Sequence, residues 1–486
     1  MSNTVRSLQP EALWNNFEDL NAVPRPSKRE ERVIAFMEEF ASSLGLKHAK
    51  DACGNVIVYK PATPGMENRK KVVLQSHLDM VHQKNNDTVF DFDSEGIRSF
   101  IDGDWVTAEG TTLGADNGMG AAAMMTLLAS NDIAHPELVA LFTIDEEAGM
   151  TGAFELDKSL VEGDILLNLD TEDDDEFSIG CAGGIDTNIY KQYEMVSNDS
   201  HEVGFAIEIK GLKGGHSGMD IHLGRGNANK ILARILYHLK SFDWRMSEFE
   251  GGSLRNAIPR EGLVWIALTV AQKEVFEEAF YPIALAICNE LEATEPNLEI
   301  NLMEANAPEE VLSHEEGLGL VCAINAVVNG VHRMSDHIPG LVETSSSLAK
   351  VILKNGELKI ESLQRSSVDS AKYEIAESFA SAFQLIGAKV EHTGSYPGWN
   401  PNPSSEILGI MTKMYEQKFK EMPKVKACHA GLECGILSEH FPQMDMISFG
   451  PTIRFPHSPD EKVNIKSVQK FWDFLTDVLK EIPSKN

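Results

Sequence analysis

The sequence predicts an α/β layer domain interrupted by an inserted α+β domain. Three observations predict it. Short, continuous apolar runs alternate with helical patterns in the N-terminal part and again near the C-terminus. Between those parts the strands instead alternate apolar and polar residues, as strands with one solvated face do. A chain of 486 residues is also too long for one ordinary core. The expected division is residues 1–186 and 401–486 for the two parts of the α/β domain, and 187–400 for the insertion.

The elements follow in order. "PSKREERVIAFMEEFASSLG" begins with Pro26-Ser27, and Glu30 follows three residues after Ser27. That spacing predicts a capped helix start. Val33, Ile34, Met37 and Phe40 recur at helical spacing, and Gly45 ends the pattern. "NVIVY" (55–59) and "KVVLQ" (71–75) read as strands. "GMGAAAMMTLLAS" (118–130) predicts a buried small-residue helix. "LVALFTI" (138–144) and "DILLNL" (164–169) are continuous apolar runs, suited to a sheet covered on both faces. After residue 186, "EVGFAIEIKGL" alternates and "NANKILARILYHLKSF" is helical. The pairs "GLVWIALTVA" with "KEVFEEAFYPIALAICNELEA", and "GELKIESLQ" with a helix over 371–385, repeat strand then helix. "TGSYPGWNPNPSS" (393–405) reads as a turn-rich close to the insertion. Helix "SEILGIMTKMYEQKF", strand "MDMISFG" and helix "SVQKFWDFLTDVLKEI" then restore the α/β texture.

Composition narrows the function. Hydrophobic residues at 42% and charged residues at 24% describe an ordinary globular protein. A formal charge of −31 repels phosphate backbones and argues against nucleic-acid partners. No apolar leader opens the sequence and no run is long enough to span a membrane. The six cysteines form no CxxC pair, so neither a zinc ribbon nor a disulfide framework is expected. A cytoplasmic location follows as the simplest expectation.

Acids and a histidine cluster at predicted strand ends. His77-Leu78-Asp79 follows the first apolar run. Asp145-Glu146-Glu147 follows "LVALFT", and Asp170 follows "DILLNL". Asp116, in "TTLGADNGMG", opens the Ala-rich helix. A lone acid of this kind is ordinarily a solvated loop residue. Together they are different, because parallel strands bring their C-terminal ends to one crevice. Several carboxylates there cannot all stay ionised without a cation. Mixed imidazole and carboxylate donors suit Zn2+ or a similar first-row ion.

The series "SHLDMV", "LGADNGMGAA", "TIDEEAGMTGA", "LLNLDTED", "KGLKGGHSGMDI" and "FGPTIRFPHSPDEKV" resembles the M20 family of dinuclear zinc peptidases, along essentially the whole chain. The resemblance implies a zinc-peptidase α/β/α catalytic domain with an inserted α+β lid. It implies two Zn2+ per chain, for which Co2+ or Mn2+ could substitute. His77 and Asp170 would hold one ion, Glu147 and His457 the other, and Asp116 would bridge them. Asp79 would orient the ring of His77, since residues i and i+2 of a strand point to one side. Glu146 would be the general base, leaving Asp145 a loop or cap role. The Asp116–Asn117 peptide would be cis. His216, in "GGHSG", would serve as the lid histidine that polarises the substrate carbonyl.

Weaker signals concern substrate. Asn256 in "SLRNAIP" offers a polar contact, and Arg365 in "SLQRSSVDS" a fork for a C-terminal carboxylate. Glu433 in "HAGLECG" offers a charge for a free α-amino group. The expected activity is hydrolysis of Xaa-His and related unblocked dipeptides, with a homodimer as the expected assembly. The alternatives are an N-acyl amino acid deacylase of the same family and an inactive binding protein on its fold.

Overall fold

The computed structural model describes residues 4–85, 87–198, 201, 203–336 and 338–485. The chain divides into two compact units. Met1–Gly180, Pro401–Ala427 and Glu433–Asn486 form the first, and Cys181–Asn400 with Cys428–Leu432 the second. The first division falls before the expected 186/187 boundary. The strand Gly183–Gln192 pairs along its length with Glu357–Ser366, so residues 183–186 belong to the second unit's sheet. Residues 428–432 also leave the expected 401–486 segment. The N–H of Ala182 donates to the carbonyls of Cys428 and Ala430, which ties them to the second unit.

The first unit is built on an eight-stranded sheet. Its centre is parallel, in the order Leu138–Thr143, Val72–His77, Ile165–Asn168 and Asp445–Ser448. Lys47–Lys50 and Val56–Lys60 extend it antiparallel on one side. Every residue of the first three central strands is buried. Strands with no solvent face need no polar alternation, which is why these segments read as continuous apolar runs. The helix Ala115–Ala129 packs on Val72–His77 with nearly all its residues buried. Its small side chains permit the approach. A Cβ on Gly120 would lie 2.6 Å from the carbonyl oxygen of Leu169. The strand Asp445–Ser448 brings the chain back to this sheet after the second unit, parallel to Ile165–Asn168.

The predicted helix near residue 27 starts later, at Glu31, with Glu30 as its N-cap. Ser27 does not cap it. Its hydroxyl donates instead to Asp79 Oδ2 at 2.8 Å. A tertiary acceptor won over the local one.

The second unit carries a nine-stranded sheet whose pairings are antiparallel. Helices Ala228–His238, Lys273–Leu291, His314–Ala326 and Asp369–Gln384 accompany it. The hairpin Val342–Lys354 with Glu357–Ser366 is its longest feature. Its first arm, "VETSSSLAKVILK", escaped the sequence reading because buried Thr344, Ser345, Ser346 and Ser347 look like loop residues. The turn-rich close predicted from residue 393 begins as strand, since Lys389–Tyr396 pairs with Gly183–Gln192.

Trp244 anchors the second core. It is fully buried, its indole N–H donates to the Leu239 carbonyl at 3.1 Å, and the His314 ring packs against it at 5.0 Å. Trp244→Ala is expected to cost about 3–5 kcal/mol. A lowered urea midpoint measures it; an unchanged midpoint would contradict this packing.

Candidate metal centre

The parallel strands deliver their C-terminal ends to one edge. His77 pairs in register with Thr143, and Gln75 with Asn168. The residues that follow those positions therefore emerge together: Leu78-Asp79, Asp145-Glu146-Glu147 and Leu169-Asp170. Asp116 enters from the start of the buried helix, where the Asp116–Asn117 peptide is cis. The side chain of Asn117 fixes Asp170, donating to Asp170 Oδ1 and to the Leu169 carbonyl.

The distances have a pattern. His77 Nε2 lies 3.2 Å from Asp116 Oδ1 and 3.6 Å from Asp170 Oδ1. His457 Nε2 lies 3.3 Å from Asp116 Oδ2 and 2.8 Å from Glu147 Oε2. Asp116 thus turns one oxygen to each histidine. In a tetrahedral site with bonds of about 2.0–2.1 Å, neighbouring ligand atoms stand roughly 3.3 Å apart. His77, Asp116 and Asp170 form one group at ligand spacing, and Asp116, Glu147 and His457 a second. Glu146 joins His77 and Glu147 in a third. Glu147 Oε1 is buried without a hydrogen-bond partner in the protein. The donor set and its spacing fit a pair of divalent ions.

Asp79 is committed elsewhere. Its Oδ1 lies 3.3 Å from His77 Nδ1 and accepts the Glu146 N–H at 3.0 Å. Its Oδ2 accepts the Glu147 N–H at 3.2 Å and the Ser27 hydroxyl. One fully buried carboxylate so orients the His77 ring and the backbone of both glutamates. Asp145, at φ 55°, accepts from Lys28 Nζ and Thr151 Oγ1, each at 2.5 Å, and shapes the turn.

The charge balance is strained without cations. Burial above all, with the charges of Asp170, Glu147 and Glu433, pushes Glu146 well above its usual range. Burial and then Asp116 push Asp170 up in the same way. Burial opposes the ionised form of Asp116 too, but hydrogen bonds from His457 and His77 outweigh it and hold that carboxyl below its usual range. Burial would lower His457, yet its bonds to Asp116 and Glu147 raise it to about 11.

The profile of Peptidase family M20/M25/M40 matches residues 73–481. The chain belongs to this family. It is 44% identical over 484 residues to the cytosol non-specific dipeptidase of Escherichia coli, covering 99% of each chain. The crystal structure of aminoacylhistidine dipeptidase from Vibrio alginolyticus superposes with a TM-score of 0.93 at 45% identity, covering 100% of this chain and 99% of that one. Aminopeptidase PepT from Bacillus cereus, at 16% identity and a TM-score of 0.58, covers 98% of this chain and 99% of its own and shares the fold. This M20 chain is therefore a peptidase, with its potential ligands gathered in the first unit.

Glu433 also lies in the first unit, fully buried at the start of the helix Glu433–His440. Its Oε2 accepts from Gln75 Nε2 at 2.6 Å and Thr143 Oγ1 at 2.7 Å, while Oε1 has no protein partner. Burial raises it to about 7.

His216, Asn256 and Arg365 form a second group, in the second unit. His216 Nδ1 accepts the N–H groups of Gly218 and Met219 at 3.1 and 2.9 Å. Its proton is therefore on Nε2, and burial, then Arg365, lowers its pKa to about 4. The Ser217 N–H donates to the Asn256 carbonyl, which sets exposed Asn256 beside that turn. Arg365 is 5% exposed and donates to the Tyr396 hydroxyl at 2.7 Å. A Cβ on Gly218 would come 3.0 Å from Arg365 Nε and 2.2 Å from the His429 carbonyl oxygen, so only glycine lets the turn lie there. His429, whose Nε2 meets Ser345 Oγ at 2.7 Å, belongs to this group and was missed. It stands in the quoted "HAGLECG", where attention went to the acid. Asn117, Arg25 and Glu461 were missed as well.

The metal-free protein should respond to pH in one direction. A buried acid raised to about 7 keeps a proton in the folded state that the unfolded chain releases near pH ~4.3, so stability falls as pH rises through that window. A histidine raised to about 11 contributes stability below pH ~6.5 and loses it as pH rises towards the folded value. Chelated protein is expected to melt lower at about pH 8 than at about pH 6, with added Zn2+ restoring most at the higher pH. Equal melting temperatures in the chelated samples would contradict this charge balance.

Proposed function

We propose that this chain is a metal-dependent dipeptidase acting on Xaa-His and related unblocked dipeptides, carnosine-like ones included. One observation carries the reading: two histidines and two carboxylates at ligand spacing around a shared aspartate, with Glu146 beside them. His77 and Asp170 would hold one ion, Glu147 and His457 the second, and Asp116 both. Zn2+ suits these donors, and Co2+ or Mn2+ are workable substitutes. When bound, the ion pair supplies Lewis acidity and lowers the pKa of an attacking water towards ~7.

The chain's own residues do the rest. Glu146 takes the proton of the attacking water and returns it to the leaving amine. Asp79 keeps base and ligands in register through the backbone it binds. His216 offers its Nε2–H to the developing oxyanion. Arg365, Asn256 and Glu433 are assigned to substrate recognition, their chemistry suiting a carboxylate, a peptide backbone and an α-amino group respectively. A dipeptidase needs both ends of its substrate recognised. The names of the Escherichia coli and Vibrio alginolyticus relatives support dipeptides as the substrate class.

The same reading includes a cytoplasmic homodimer, partnered by small dipeptides rather than by nucleic acid or membrane. Among the described residues, no helix is long and apolar enough to cross a membrane.

The test compares β-Ala-His with an N-acetyl amino acid, using metal-free, zinc-restored and Glu146→Ala protein. The dipeptide is expected to be cleaved only with metal. The variant should still bind zinc while losing on the order of 10²–10⁴-fold in kcat. Preference for the acetylated substrate would move the reading to deacylase. Failure of zinc-loaded protein on both, and on a panel of other dipeptides, would favour a binding protein.

A further inference from the structure

Two buried charged residues of the first unit lie outside the ligand set but touch the segments that carry it. Arg25 is 1% exposed. Its Nη1 donates to the carbonyls of Leu78 and Asp79 at 3.0 and 3.2 Å, directly after His77. Its Nη2 donates to the Gly114 carbonyl at 2.7 Å, just before Asp116, and to Asn21 Oδ1 at 2.9 Å. The fit is close. A Cβ on Gly114 or Gly118 would lie 2.5 or 2.7 Å from Arg25 Nη2.

Glu461 is 2% exposed and follows His457 by one turn of loop. Its Oε2 accepts the N–H groups of Leu113 and Gly114 at 2.7 and 2.9 Å. Its Oε1 accepts those of Ala115 and Asp116 at 2.8 and 3.2 Å. These are the N–H donors around the start of the helix that carries Asp116. Left unmatched, they would attract the nearest carboxylate, as helix starts do. Asp116 carries a carboxylate on that same segment. Glu461 occupies the donors and leaves both Asp116 oxygens facing the histidines.

We propose that Arg25 and Glu461 are positioning residues that set the spacing of His77, Asp116 and His457, and through it the affinity for the ion pair. Arg25 joins the His77 segment to the Asp116 segment, and Glu461 joins the Asp116 segment to the His457 loop. Burying such charges is costly unless each is matched. Each is matched largely by the backbone of a ligand-bearing segment. The inference rests on the proposed metal reading.

The experiment titrates metal-free protein with Co2+ by calorimetry and records its visible absorption, which reports ligand geometry. Wild-type protein should bind two Co2+ per chain; failure to bind would overturn the metal reading and this inference with it. Glu461→Gln keeps the shape but turns an amide N–H towards N–H donors. It should remain folded by circular dichroism, bind Co2+ about 10–100-fold more weakly, and show an altered spectrum. Its kcat should fall with KM near the wild-type value. A folded variant with wild-type Co2+ affinity and spectrum would overturn the proposal. Arg25→Lys keeps the charge but cannot span Leu78, Asp79 and Gly114 together. The same outcomes apply to it, and it decides the matter if Glu461→Gln does not fold. Failure of both to fold would overturn the proposal in favour of a purely structural role.

Discussion

Like charges repel, and this fold forces them together. Asp116, Glu146, Glu147 and Asp170 share one end of a buried sheet, and the charge of Glu433 acts on Glu146 and Asp170. Nothing in a polypeptide makes such a cluster stable by itself, because each carboxylate raises the cost of ionising the next. Positive charge offsets that cost, and the neighbouring acids accordingly favour the charged form of His77 and of His457. A divalent ion does the same with more charge in less space. The arrangement thus has a built-in preference for cations, and the remaining structure serves to hold the acids against their repulsion.

The sheet supplies the holding force. Three fully buried strands, Leu138–Thr143, Val72–His77 and Ile165–Asn168, are registered by backbone bonds and cannot slip by one residue without exchanging their faces. Residues that are far apart in sequence therefore emerge at one edge. The return strand Asp445–Ser448 extends that register beyond the second unit, so the loop carrying His457 reaches the same edge.

That logic decides what could be read beforehand. The parallel core was legible because burial on both faces leaves a continuous apolar signature. His77, Glu147 and Asp170 were legible because each stands at or just after the end of such a run, and Asp116 because it opens a small-residue helix, whereas His457 was indicated only by the family resemblance. Ser27 misled because a local capping pattern does not reveal a competing tertiary acceptor such as Asp79. The Ser-rich arm of the long hairpin was hidden because hydroxyl residues such as Thr344, Ser345 and Ser346, which bond to neighbouring side chains inside the protein, look like loop residues in sequence. Arg25 and Glu461 were invisible for a simpler reason. A charged residue in a loop is ordinarily solvated, and no spacing rule distinguishes one that bonds the backbone of distant segments.

Hydrogen-bond satisfaction sorts the buried acids where sequence cannot. Both oxygens of Asp79 and of Glu461 are met by donors, mostly backbone N–H groups. Such carboxylates have no capacity left for an ion, and they brace the site. Glu147 is different, since one of its oxygens meets His457 and the other has no protein donor. Buried oxygens left in that state carry a desolvation cost that only a cation, a proton or substrate can offset. Asp145 stands between the classes, with Lys28 and Thr151 on one oxygen and none on the other. The acidic trio of Glu30, Asp79 and Asp145 also lies at ligand spacing. It makes a poor ion site on this argument, because Asp79 is fully committed and Lys28 already supplies a positive charge. Glu433 resembles Glu147 in this respect, since one of its oxygens is also buried without a protein donor.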